Sequence, residues 1–141
     1  MVEINIRYEG NLRCTATHVP SGTQLRTDAP KDNHGLGQSF SPTDLVATAY
    51  AACTVTILAI AAQREGIDIA GTRAKVIKGM TTEPRRIGQL PLTIELPAHL
   101  TGEQRKLLEN AARGCPVCKS ISPEIDATIT FEYGPGEETS P

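Results

Sequence analysis

No excess charge of either sign marks this chain: 14 Lys and Arg stand against 16 Asp and Glu, for a formal net charge of −2. Those charges are well mixed, so there is no basic footprint for a nucleic acid backbone or an acidic lipid surface, and neither is expected as a partner. The opening residues Val2-Glu3-Ile4-Asn5-Ile6-Arg7 lack the basic region and apolar core of a secretory signal, so a reducing cytoplasm is the expected compartment. Internal repeats and a second domain boundary are also missing. With 141 residues, 39% of them hydrophobic, one domain is the default. It is assigned to residues 1–134, with 135–141 read as a flexible, acidic Pro/Gly tail. Metal ligands fall short as well. Cys115-x-x-Cys118 is half of a zinc pattern, but Cys14, His18, His34 and His99 offer no second pair beyond Cys14-x-x-x-His18. No cofactor and no metal are expected.

What the chain does have is one long uncharged run. Residues 45–62 hold seven Ala, three Thr and one Tyr among 18 positions, which reaches the lower edge of membrane-spanning length. The run is far less hydrophobic than a Leu-rich span. A central helix of a soluble protein, covered on all sides, explains the same pattern, and the small residues suggest close packing against a partner. Ser41 suits the N-cap, Pro42 the first helical position and Asp44 the positive end of the dipole. The helix is expected from residue 42 to about 65, stopping at Gly66.

Around it the pattern is mixed. Residues 2–7, 12–18 and 24–27 alternate as strands about the turn Pro20-Ser21-Gly22, an N-terminal meander. Residues 28–39 form a polar loop rich in breakers. Residues 67–78 and 90–96 alternate and are expected to pair as a hairpin. Thr101-x-x-Gln104 is a capping box opening a second helix that Gly114 closes, and residues 125–133 read as a final strand. The fold class is therefore α+β.

The four cysteines are expected to be free thiols in a reducing compartment, so any disulfide among them is transient and catalytic. Cys53 sits inside the uncharged run. On helical spacing it shares a face with Ala49, Thr56, Ile57 and Ile60, where a thiol is either a small core hydrophobe or a shielded reactive group. Cys115 precedes Pro116 at the start of a possible helical turn, a setting that stabilises a thiolate. Periodicity alone leaves both readings open. A thioredoxin-like role for Cys115-x-x-Cys118 is not favoured, because the motif lies near the C-terminus rather than early in a βαβ unit.

Phe40-Ser41-Pro42-Thr43-Asp44-Leu45, Ala51-Ala52-Cys53 and Cys115-Pro116-Val117 together resemble the OsmC/Ohr family of osmotically inducible and organic hydroperoxide resistance proteins, over residues 8–133. The resemblance implies an intertwined homodimer with the cysteine-bearing helices central. It implies that Cys53 is the peroxidatic thiol, which attacks an organic hydroperoxide to become a sulfenic acid, and that Cys115 is the resolving thiol. A dithiol reductant, lipoylated in the best understood members of that family, would reduce the resulting disulfide. The family's site cation is carried to Arg13, with Arg7 in reserve. Where the family places a supporting glutamate this chain has Thr43, and Asp44 is the neighbouring substitute. Cys118 is a further departure, either an alternative resolving thiol or a passenger. A non-catalytic module that binds a small ligand, or senses redox state, is the alternative to an enzyme.

Overall fold

The computed structural model describes residues 1–134; the expected tail at 135–141 lies outside them. Contacts within the chain divide it into two compact units that meet inside one helix, Met1–Val46 and Ala47–Pro141.

The first unit is the expected meander. Strands β1 (Ile4–Gly10), β2 (Arg13–His18) and β3 (Gln24–Asp28) form an antiparallel sheet in that order. The β1–β2 turn has both Asn11 (φ 56°) and Leu12 (φ 63°) in the left-handed region, as a tight hairpin whose twist matches its strands requires. Asn tolerates this readily, whereas Leu does so at a cost; the Leu12 amide is held by Tyr8 Oη at 3.3 Å. After β3 the polar loop folds back through a single 3₁₀ turn, Lys31–Asn33. Gly35 lies so close to Ala29 that a Cβ there would be 1.8 Å from the Ala29 carbonyl oxygen, so only glycine fits.

Helix α1 (Pro42–Arg64) begins as the sequence suggests. Ser41 Oγ accepts from the Asp44 amide at 3.1 Å, while Asp44 Oδ2 accepts from the Ser41 amide at 2.8 Å. This reciprocal pair satisfies donors that the helix leaves orphaned. At the other end Gly66 takes φ 67°, and the amides of Gly66 and Ile67 donate to Gln63 and Ala62, a Schellman stop. By length and composition α1 could cross a membrane; here its buried residues are Ala47, Tyr50, Thr54, Leu58 and Ala62.

In the second unit the expected hairpin partners do pair. Strand β4 (Arg73–Val76) runs antiparallel to β7 (Leu92–Leu96), with Ala74 opposite Ile94. Between them the chain makes a small extra ladder that the sequence reading missed, β5 (Gly79–Met80) with β6 (Ile87–Gln89). The last strand, β8 (Ile129–Tyr133), is shorter than expected and lies parallel to β7. A parallel neighbour needs a long crossover, supplied by α2 (Gly102–Ala112), with its Thr101/Gln104 capping box, and α3 (Pro116–Ser120). The central strand buries Leu92, Ile94 and Leu96 and, with Leu58, Leu90, Leu100, Leu108 and Ala112, makes the core of this unit. Arg105 fastens α2 to β8, its guanidinium 4.1 Å from the Tyr133 ring centroid.

Candidate active site

Two segments of the second unit place three thiols together. Tyr50, Cys53 and Thr54 come from α1; Cys115 caps α3, and Cys118 lies one turn on. Tyr50 fixes the α1 side. It is fully buried, and its hydroxyl donates to the Ala127 carbonyl at 2.9 Å. Burial, with the Cys118 and Cys115 thiols and Asp126 close by, pushes the phenol up to about 12, so Tyr50 stays neutral and anchors the helix. Thr54, also buried, donates to the Tyr50 carbonyl at 2.8 Å and borders Cys115.

All four cysteines are free thiols. Cys53 and Cys115 are hydrogen-bonded to one another, and their burial is unequal: Cys115 is completely enclosed, whereas Cys53 is half-buried. The hydrogen bond with Cys115, then burial, push the Cys53 thiol up, against the opposing Val117 amide. Burial alone would raise Cys115 too. It is outweighed by hydrogen bonds from Cys53, the Cys118 amide (3.4 Å to Cys115 Sγ), Thr54 and the Val117 amide, which hold Cys115 below the ordinary thiol value. The surroundings thus favour negative charge on Cys115 over Cys53.

Arg13 belongs to the first unit, where it stands opposite Asp28 across the β2–β3 ladder. Its Nε lies 3.6 Å from Asp28 Oδ1, and its guanidinium also donates to the Gln38 side chain. Asp28 is 2% exposed and takes the Gln38 amide on Oδ2 at 2.9 Å. That amide, with Arg13, holds the carboxyl below its usual range despite burial. The guanidinium is therefore aimed by a buried acid. The reserve candidate Arg7 is exposed, paired with Glu9 at 3.0 Å. Asp44 works at the start of α1, as described above, and Thr43 Oγ1 lies 3.2 Å from Ser41 Oγ.

The sequence reading expected Cys53 on the buried stripe of α1. The buried stripe runs instead through Ala47, Tyr50, Thr54, Leu58 and Ala62, with Cys53 beside it and Ala49, Thr56 and Ile60 exposed. The reading also missed Asp28, Gln38 and Tyr50. Asp28 was within reach: continuing the hairpin ladder one residue past Thr27 sets an acid opposite Arg13. Among the described residues no group of three His, Cys, Asp or Glu side chains could hold a metal ion.

The fold agrees with what the chain resembles. Residues 35–130 match the family model described as OsmC-like protein. A Psychrobacter arcticus protein named for osmotic stress induction and a detoxification response is 42% identical, with a TM-score of 0.88 over 94% of this chain and 96% of that one. The organic hydroperoxide resistance protein OsmC of Legionella pneumophila (17% identity, TM-score 0.71, 94% and 96% covered) shares the fold. So does OhrB of Bacillus subtilis (21% identity, TM-score 0.66, 94% and 98% covered). No curated protein matches the sequence. The chain belongs to the OsmC-like family.

Proposed function

We propose that this protein is a thiol-dependent peroxidase that reduces organic hydroperoxides, with Cys53 as the peroxidatic and Cys115 as the resolving thiol. The observation that carries the reading is the hydrogen-bonded Cys53–Cys115 pair, one residue half-buried and the other enclosed.

In this account Cys115 acts twice. Its surroundings favour the charged form more than those of Cys53 do, and in its thiolate form it takes the Cys53 proton across their hydrogen bond. Cys53 thiolate then attacks the terminal oxygen of R–O–O–H, the O–O bond breaks, and the alkoxide leaves with the electron pair, taking the proton now on Cys115 to become the alcohol. Cys53 is left as a sulfenic acid. The regenerated Cys115 thiolate attacks Cys53 Sγ and expels hydroxide, which a solvent proton converts to water, forming the disulfide. A dithiol reductant, in the family a lipoylated one, returns both thiols.

Arg13 serves as the site cation on the strength of the resemblance. The buried Asp28 and Gln38 that orient it support a fixed role rather than a solvated surface one. Asp44 acts as a positioning residue, holding the start of the helix that carries Cys53. A homodimer is supported by the apolar surface the chain leaves open, including Ile4, Ile6 and Tyr8 of β1, each more than half exposed. A cytoplasmic location suits four thiols that must rest reduced.

The test is consumption of cumene hydroperoxide and hydrogen peroxide by the reduced protein with a dithiol present. The organic peroxide is expected to be consumed faster, and Cys53→Ser to abolish consumption. Unchanged turnover in Cys53→Ser would overturn the role given to Cys53, and no consumption by the unaltered protein would leave the non-catalytic binding module as the reading.

A further inference from the structure

Of the three clustered thiols, Cys118 is the one that two-cysteine chemistry does not use. It is half-buried, its amide lies 3.4 Å from Cys115 Sγ, and its sulfur acts electrostatically on both Cys53 and Tyr50. It therefore faces the same cluster. Cys115 and Cys118 are joined by a single turn, Pro116 and Val117 between them, a spacing at which two cysteines readily close into a disulfide.

We propose that Cys118 is a third redox thiol, which moves the oxidising equivalent from the Cys53–Cys115 disulfide to a Cys115–Cys118 disulfide and frees Cys53 for a second peroxide. This rests on the peroxidase reading above. The step is an exchange without net redox change. Cys118 thiolate attacks Cys115 Sγ, the Cys115–Cys118 bond forms, the Cys53–Cys115 bond breaks, and the electron pair leaves on Cys53 as thiolate.

The product state favours the freed thiolate. Cys53 is held up chiefly by its hydrogen bond to Cys115, with the charges of Cys115 and Cys118 adding to the effect. Closing those two sulfurs into a disulfide removes both influences, so Cys53 ionises more readily after the relay than before it. A second hydroperoxide then converts Cys53 to its sulfenic acid, and one chain stores two oxidising equivalents before any reductant arrives. The reductant meets the disulfide at half-buried Cys118 rather than at enclosed Cys115. Expelling Cys115, the thiol of lowered pKa, makes that reduction fast.

The experiment adds cumene hydroperoxide to the fully reduced chain without reductant, blocks free thiols with N-ethylmaleimide, and maps the linked peptides. One equivalent is expected to give a Cys115–Cys118 link with Cys53 labelled. About two equivalents should be consumed per chain, against about one for Cys118→Ser, which should stop at Cys53–Cys115. A persistent Cys53–Cys115 link with Cys118 labelled in the unaltered chain overturns the relay while leaving the peroxidase reading intact. A parallel titration in a dithiothreitol redox buffer, with no peroxide, separates the two readings. There the Cys115–Cys118 link is expected to form first, and its absence overturns the relay whatever the peroxide does.

Discussion

At the scale of single residues, the chemistry follows from unequal surroundings of like groups. Two thiols share a hydrogen bond, yet only Cys115 collects the Cys118 amide and the Thr54 hydroxyl as well, which favours its charged form over that of Cys53. Arg13 is set by the same logic, through an acid that is 2% exposed. Asp28→Asn is expected to release the guanidinium and slow peroxide reduction about tenfold or more, the scale at which losing an oriented charge matters. Its stability profile carries a sign. The folded-state pKa of Asp28 is depressed, so its stabilisation is present above the unfolded carboxylate range and lost as pH falls through the depressed value. Urea unfolding of Asp28→Asn between neutral and acid pH should therefore show a flatter acid limb than the parent chain. Cys53 and Cys115 were legible only through the resemblance, since spacing could not tell a core thiol from a reactive one. Asp28 was lost because β3 was ended one residue early, at Thr27.

At the scale of elements, caps and stops were the most readable features, because each depends on a few residues with local hydrogen bonds. Ser41, Pro42, Gly66, Thr101 and Gln104 all act where the sequence sets them. Ser41→Ala removes the hydroxyl that receives the Asp44 amide and is expected to cost about 1 kcal/mol in urea unfolding. A change indistinguishable from zero would mean the cap is redundant. The face of α1 was not readable. A helix built almost wholly of Ala, Thr and aliphatic residues has no polar side to mark its orientation. Its buried face is decided by Tyr50, which needs a carbonyl for its hydroxyl and finds Ala127, 77 residues along the chain. The β5–β6 ladder escaped for a related reason: it is made by Gly79 and Gly88 fitting against Gln89 and Thr81, and close backbone approach leaves no hydrophobic period behind.

At the scale of the whole molecule, the order of strands and helices was legible and the α+β class held. That the uncharged helix needs cover was legible, but not which of its residues one chain leaves open. The uncharged run needs cover, yet Ala49, Ala52, Thr56 and Ile60 remain exposed on α1, and β1 offers Ile4, Ile6 and Tyr8 to solvent. Such surface is costly to hold in water, and the proposed homodimer would cover it. Light scattering after size exclusion is expected to return twice the 15.1 kDa chain mass at micromolar concentration. A monomer under those conditions would remove the homodimer from the account. The parallel placement of β8 beside β7 was not legible, because the alternation of residues 125–133 says which face is buried but not which neighbour the strand takes.

The central claim is that the accessible Cys53, not the lower-pKa Cys115, is the sulfur that peroxide meets first. Dimedone trapping after one equivalent of cumene hydroperoxide, on Cys53→Ser and Cys115→Ser separately, reads this directly. The account predicts a dimedone adduct on Cys53 in Cys115→Ser and none on Cys115 in Cys53→Ser. An adduct on Cys115 in Cys53→Ser, with Cys53 unlabelled in Cys115→Ser, would contradict it.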